Sequence, residues 1–568
     1  MIQIATIEQV RVIEAEADAA GHSYDEMMDR AGRAVADRAV AMLDGIDAPR
    51  VTVLIGGGNN GGDGLVAGLY LAQDMPNADV RFYLLTDRDD TFITTAQEAG
   101  LFIAKASDDH DKRVLRNMVA SADLVLDALF GIGVRLPISG EAQQILRHAG
   151  QEIRMRRQQH ISPTSSIALT GNDPHPRAPQ IRVLAVDCPS GMNCDTGASD
   201  QWMIAADETV TFITAKPGLF LYPAAAGVGQ LFVAPIGIPN TVEALKALDT
   251  LVIDANLVRD LLPDRTSNSH KGTYGQALIV GGSINYIGAP ALSAEAAYRV
   301  GAGLVSVAAP ANVITAVAGT LREVTWLMLP HDMGVIATDA NAIILKNLER
   351  VQAMLIGPGM GTEKTTRNFL NALLNASRDG QHSGKKRSIG FGKVIDNTKD
   401  NTSKTIPLPP LVIDADGLNL LTEIPDWHTL LPDDTIITPH PGEMARLCNL
   451  ETGDVQANRW QLAREKAQEW GVVVVLKGAY TVIAHSTSKL AVLPFAIDAL
   501  ATAGTGDILA GLIVGLRAQG LSAWDAACVG TFIHAKSGQA LGKRTSSRSI
   551  IAGDLFWQIG EVFQELDD

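Results

Sequence analysis

The chain has 568 residues, 46% of them hydrophobic, with 53 glycines and a formal net charge of −16. At roughly 150 residues per domain this is too long for one ordinary hydrophobic core, and two large α/β domains account for it. The acidic balance opposes binding to nucleic-acid phosphates or an anionic membrane, and four cysteines without a CxxC spacing exclude a disulfide framework, so a reducing cytoplasm is the expected compartment.

Residues 1–20 set Glu8, Arg11, Glu14, Glu16 and Asp18 among apolar neighbours, the pattern of an amphipathic helix and not of a signal peptide. No apolar run approaches the roughly 20 residues of a membrane span. Short β-branched runs then alternate with helical patterns, at 50–55, 80–85, 124–128 and 182–186, and again at 277–280, 354–356, 411–413 and 472–476. This βα rhythm predicts parallel sheets, and unbroken apolarity predicts strands covered by helices on both faces. The pattern weakens between Ile236 and Arg265, which puts a domain boundary near residue 245 and divides the chain into 1–245 and 246–568. Two segments, 154–180 and 377–410, are polar, partly basic and aperiodic, and read as surface insertions.

In the first half, the strand ending at Ile55 runs into Gly56-Gly57-Gly58-Asn59-Asn60-Gly61-Gly62-Asp63-Gly64, where open α/β sheets bind ligands. The inserted asparagines and Asp63 distinguish this loop from the GxGxxG dinucleotide fingerprint. Two further strand ends carry carboxylates, Asp127 before Ala128-Leu129-Phe130-Gly131 and Asp187 before Cys188-Pro189-Ser190-Gly191. Carboxyl ends of neighbouring parallel strands converge on one crevice.

The second half has HKGTYG at 270–275, GGS at 281–283, YIGAP at 286–290, GPGMG at 357–361, DADG at 414–417, TPHPGE at 438–443, KGAYT at 477–481 and ATAGTGD at 501–507. The prolines on either side of His440 are expected to hold off any helix before Glu443. Asp414 and Asp416 alternate in direction if their strand continues, so only one need face the site; either, or Glu443, is a candidate to hold a magnesium ion through water. Lys477, directly after a buried strand, places a cation where nucleotide phosphates need neutralising. Asp507 closes a glycine loop that enters the apolar stretch 508–516. A helix starting there offers unpartnered N–H groups and the positive end of a macrodipole to an anion. Asp507 beside bound phosphates is then placed to take a proton from an attacking hydroxyl; the alternative is an ordinary N-cap.

The motifs GGGNNGGDG, DALFGIGVRLP at 127–137 and DCPSGM at 187–192 resemble the NAD(P)H-hydrate epimerase family, with Cys188 and Met192 where Val or Ile and Leu are expected. The resemblance implies a Rossmann-like three-layer α/β fold, with substrate held by Asn59, Asn60, Gly61, Gly62, Asp63, Gly131, Ile132, Gly133, Val134, Arg135, Leu136, Pro137 and Asp187. It further implies Asp187 as the acid/base and a potassium ion on Asn60, Asp127 and Ser190, an oxygen-only set suited to a hard cation. The C-terminal motifs, in their order, resemble the ADP-dependent NAD(P)H-hydrate dehydratase family, which implies a ribokinase-like α/β fold. By that resemblance Ala289, Gly359 or Gly361, His440 and Asp507 meet the hydrated dinucleotide, while Lys477, Gly478, Ala479, Tyr480, Thr481 and Gly506 bind the adenosine phosphate. Together they imply an enzyme that epimerises the R and S hydrates NADHX and NADPHX and dehydrates the S form, with ADP and Mg2+ at the second site. A homo-oligomer with no nucleic-acid or membrane partner is expected. The rival readings are a small-molecule kinase with a noncatalytic N-terminal domain, and an N-terminal scaffold module.

Overall fold

The computed structural model describes residues 2–158, 180–382 and 407–567. Most of the two aperiodic segments lies outside these residues. The helix Gly140–Gln158 takes the first five residues of 154–180, and the helix Lys364–His382 takes the first six of 377–410; residues 180 and 407–410 are described without helix or strand. The chain divides into two compact units, Ile2–Leu248 and Asp249–Asp568.

In the first unit the amphipathic N-terminal pattern forms the helix Ile7–Ala19, started by a capping box between Thr6 and Gln9. Seven strands follow: β1 (Arg50–Ile55), β2 (Asp79–Leu84), β3 (Phe102–Lys105), β4 (Leu124–Ala128), β5 (Arg182–Val186), β6 (Glu208–Phe212) and β7 (Gln230–Ala234). They form one parallel sheet in the order β3-β2-β1-β4-β5-β6-β7. Val51, Val53 and Ile55 join a core on one face while Leu54 joins the core on the other, so the continuous apolar run serves two buried faces. The chain runs outward from β1 to β3 and returns to β4 on the other side of β1. A crevice therefore opens above the carboxyl ends of β1 and β4. Helix Asn59–Asp74 lies close against the sheet because a Cβ on Gly64 would stand 2.4 Å from that of Ala128.

The second unit contains β8 (Thr250–Val252), β9 (Gln276–Val280), β10 (Leu304–Pro310), β11 (Thr325–Leu329), the short pair β12 (His331–Asp332) and β13 (Val335–Ile336), β14 (Ala353–Ile356), β15 (Leu411–Ile413), β16 (Ile436–Ile437), β17 (Val473–Leu476), β18 (Val482–Ala484) and β19 (Leu490–Val492). Ten of these form a mixed sheet ordered β11-β10-β9-β14-β15-β16-β17-β18-β19-β8. From β11 to β17 every pairing is parallel; β18 and β19 then reverse. The switch point falls between β9 and β14. The apolar helix Thr505–Ala518 packs on β9, β14 and β15 with nearly every side chain buried, which brings its first turn to the same sheet edge.

Gly357, directly after β14, has φ +130°, and a Cβ there would lie 1.8 Å from the carbonyl oxygen of Asp414. No L side chain fits this backbone or this gap. Gly357→Ala is expected to destabilise the second unit by more than about 3 kcal/mol, read as a fallen melting transition. An unchanged transition contradicts so close an approach of the two strand ends.

Candidate functional sites

A cavity of about 550 Å³ opens at the first switch point, a size suited to a small-molecule ligand. Of the residues the sequence pointed to, Asn59, Asn60, Asp63, Gly131, Ile132, Gly133, Val134 and Asp187 line it. Gly61 and Gly62 instead face Gly56 and Met28, Arg135 and Pro137 are exposed, and Leu136 packs beside the core. Asp127 and Ser190 lie buried together: Ser190 donates from its backbone N–H to Oδ2 of Asp127 at 2.8 Å and from Oγ to Oδ1 at 2.6 Å. Burial raises the Asp127 carboxyl above the ordinary range while the two Ser190 hydrogen bonds oppose the shift. Asn60 has both side-chain amide atoms buried without a protein partner. A buried amide oxygen without a partner suits an oxygen-liganded cation.

Asp187 sits at the end of β5 with φ +65°. Its Oδ1 accepts from Lys216 Nζ at 2.7 Å and from Thr211 Oγ1 at 3.0 Å. Lys216 follows β6, and its side chain is 1% exposed. Sequence reasoning passed over it, along with Arg11, Glu14 and Tyr24, which reach the cavity from the two N-terminal helices. Arg11 and Glu14 read as the solvated face of an amphipathic helix; only tertiary packing turns that face inward. The signal for Lys216 was a lysine closely following the β-branched run 209–214. Burial, with the Asp187 charge second, raises both Asp63 and Glu14, Asp63 well above the carboxylate range. The cavity thus holds three carboxyl groups around one buried lysine.

In the second unit, the ends of β14, β15, β16 and β17 bring the remaining motifs to one edge. Lys477 Nζ donates to Asp414 Oδ1 at 2.7 Å and lies 3.7 Å from Glu443 Oε2, and Thr438 Oγ1 donates to the same Asp414 oxygen at 2.7 Å. Burial works against the Lys477 cation, but Asp414 and Glu443 outweigh it and raise the group. Asp416 also turns to this edge, where its Oδ2 accepts from the N–H of Gly361 at 2.9 Å. Both aspartates of DADG therefore lie at this edge: the strand stops at Ile413, and Ala415, with φ +50°, breaks the alternation. Gly359 approaches Ala289, where its added Cβ would meet the alanine Cβ at 3.1 Å.

The prolines around His440 do not delay the helix. It begins at Pro441 and runs to Cys448, with His440 as N-cap and Glu443 in the first turn. A first-turn proline sacrifices no hydrogen bond, since its N–H would be unpaired anyway. His440 Nδ1 accepts from the N–H groups of Gly442 and Glu443 at 3.0 and 3.3 Å, which leaves the proton on Nε2. Burial and the neighbouring Lys477 charge lower this histidine, so the ring is a neutral donor.

Asp507 is not the cap of its helix. Left-handed Gly504, φ +90°, takes that position, and Asp507 stands third in the helix Thr505–Ala518. Its backbone carbonyl accepts from Ser293 Oγ at 2.8 Å, tying the first turn to the helix Ala289–Arg299. Burial, then Asp414, pushes the carboxyl up to about 7, with Lys477 opposing. A Cβ on Gly506 would stand 3.6 Å from Lys477 Nζ, so the glycine loop and the cation face one another. Arg459 and His534 carried no sequence signal. Arg459 donates to the carbonyls of Leu476 and Lys477 at 3.0 and 3.2 Å and fixes the KGAYT turn, in which Thr481 Oγ1 donates to Gly478 at 2.8 Å and Tyr480 is left-handed at φ +53°. Burial lowers His534 to about 4, so it is neutral. Among the described residues no three His, Cys, Asp or Glu side chains gather as a metal-holding group, and no helix is long and apolar enough to cross a membrane.

Asp187 in the cavity of the first unit and Asp507 behind the glycine loop of the second each stand at the carboxyl edge of a parallel sheet, an arrangement suited to an α/β enzyme of nucleotide chemistry. A family model described as NAD(P)H-hydrate dehydratase matches residues 277–379 and 393–559, and one described as YjeF-related protein N-terminus matches 24–218. The bifunctional NAD(P)H-hydrate repair enzyme of Moorella thermoacetica is 32% identical over 95% of this chain and 93% of its own length, and that of Escherichia coli 31% over 95% and 90%. The crystal structure of an ADP/ATP-dependent NAD(P)H-hydrate dehydratase from Bacillus subtilis, co-crystallised with ATP/Mg2+, is 26% identical, covers 56% of this chain and 98% of that one, and has a TM-score of 0.45. The chain belongs to the family of bifunctional NAD(P)H-hydrate repair enzymes.

Proposed function

We propose that the first unit interconverts the R and S hydrates of NADH and NADPH, and that the ribokinase-like second unit dehydrates the S hydrate at the expense of ADP, giving AMP, phosphate and the reduced dinucleotide. Supporting this is the pair of carboxylates Asp187 and Asp507, each at the carboxyl edge of its sheet, in a chain of this family. In the first cavity Asp187 moves a proton on and off the hydrated ring, with Asp63 and the 131–134 loop against the ligand. Asn60, Asp127 and Ser190 would hold a potassium ion, whose positive charge would steady the ligand and its loops there.

In the second site Asp507 takes the proton of the ring hydroxyl as it attacks the terminal phosphorus of ADP. The phosphorylated oxygen then leaves with its bonding pair as phosphate, the neighbouring ring carbon gives up a proton to solvent, the electrons of that C–H bond restore the ring double bond, and AMP remains. Hydroxide is a poor leaving group and phosphate a good one, which is the reason for the transfer. Gly506, Lys477 and the 478–481 turn hold the nucleotide, while Ala289, Gly359 and the Nε2–H of His440 orient the hydrate. A magnesium ion carried with the nucleotide would neutralise phosphate charge, and Asp414, Asp416 and Glu443 would hold it through water.

The test uses the intact chain with mixed R and S NADH hydrate, ADP and Mg2+, following reduced nicotinamide absorbance and released phosphate. Recovery of NADH from both epimers, with one phosphate per NADH, is expected. A stable phosphorylated product without phosphate release would instead make the second unit a small-molecule kinase.

A further inference from the structure

The first cavity contains a buried lysine that no motif accounts for. Lys216 Nζ uses all three of its N–H bonds: to Asp187 Oδ1 at 2.7 Å, to Thr211 Oγ1 at 2.7 Å and to the carbonyl of Phe212 at 3.1 Å. Thr211, having accepted from the lysine, donates its own proton to the same Asp187 oxygen at 3.0 Å. Oδ1 is therefore occupied twice from behind. Oδ2 is the oxygen on the cavity side, 3.2 Å from where a Cβ on the lining residue Gly131 would stand.

The local backbone is bent to make this pair. Asp187 has φ +65°, and Ile213, between β6 and Lys216, has φ +67°, a region a β-branched residue rarely enters. Such strain persists only where surrounding contacts hold it, and it collects at working sites. A lysine with a 1% exposed side chain is itself expensive unless paired, so a purely structural role would be served more cheaply by an apolar residue.

We infer that Lys216, with Thr211, is the positioning residue of the epimerase site: together they bind Oδ1 of Asp187 so that Oδ2 alone meets the ring of the hydrate. This rests on the reading of Asp187 as the acid/base. The charged and titratable groups facing Asp187 are Lys216, Asp63 from the glycine-loop helix, Glu14, Arg11 and Tyr24 from the N-terminal helices, and the thiol of Cys188. Among the described residues lining this cavity, Lys216 is the buried cation set against three carboxyls.

The experiment measures interconversion of R and S NADH hydrate by chromatography, without ADP so that the dehydratase is silent, for full-length wild type, K216M, K216R, T211V and D187N. K216M is expected to lower kcat by about 10²-fold with KM changed less than about threefold, and K216R to recover kcat to within about tenfold of wild type. Wild-type kcat in K216M, or a loss carried by KM with kcat unchanged, overturns the inference. Should K216M lose its thermal transition, T211V decides: a loss of about tenfold in kcat at unchanged KM supports the role, and wild-type kcat overturns it. D187N retaining activity sinks the Asp187 reading; D187N inactive beside a fully active K216M sinks this inference alone.

Discussion

Asp507→Asn is expected to lower ADP-dependent dehydration by about 10²- to 10⁴-fold, the usual worth of a positioned general base, while leaving R and S interconversion intact. The same substitution is expected to stabilise the second unit at alkaline pH. The Asp507 carboxyl rises from 3.8 to about 7 on folding, chiefly through burial. The folded state therefore binds a proton that the unfolded chain has released, and stability falls as pH rises between those two values. An amide in its place has no proton to lose. At 1.36 kcal/mol per pH unit the variant gains at most about 4 kcal/mol above pH 7 and nothing near pH 4. Melting curves at both pH values check this, and equal melting at pH 8 would contradict the buried, uncompensated carboxyl. For the wild type, dehydratase kcat/KM is expected to climb with pH through about 7, because the base must be ionised to act.

Asp187→Asn separates the two activities in the other direction. From a mixed preparation the variant is expected to recover NADH from the S fraction at the wild-type rate and to leave the R fraction to spontaneous epimerisation, a loss of about 10²- to 10⁴-fold in the enzymatic interconversion. It also strips the counter-charge from Lys216, whose side chain is 1% exposed. Removing one partner of such a pair leaves an uncompensated buried charge and typically destabilises by about 3 kcal/mol or more. The first unit is therefore expected to melt lower. Rapid consumption of both epimers by this variant would refute the role of Asp187.

Much of the architecture is readable from the chain because its strongest signals are local. The runs at 50–55, 124–128, 182–186 and 411–413 are the strands themselves. The runs at 80–85, 277–280, 354–356 and 472–476 fall within one residue of theirs. The strands β18 and β19 escape notice because their antiparallel return departs from the βα rhythm. Pro441 misleads in the other direction, since a residue that breaks helices inside them is well placed at their start.

The glycine loops and the carboxylates at strand ends were determined by sequence alone, because a parallel strand followed by a glycine turn places its next residues at one edge whatever the rest of the fold does. Tertiary structure decided which charges meet. Lys216 and Asp187 are 29 positions apart, Asp414 and Lys477 are 63 apart, and Glu14 enters its cavity from a helix whose polar face reads as solvated. Nothing local encodes these pairings. They follow from strand order, which brings distant carboxyl ends side by side, and from burial, which makes an unpaired charge too costly to keep.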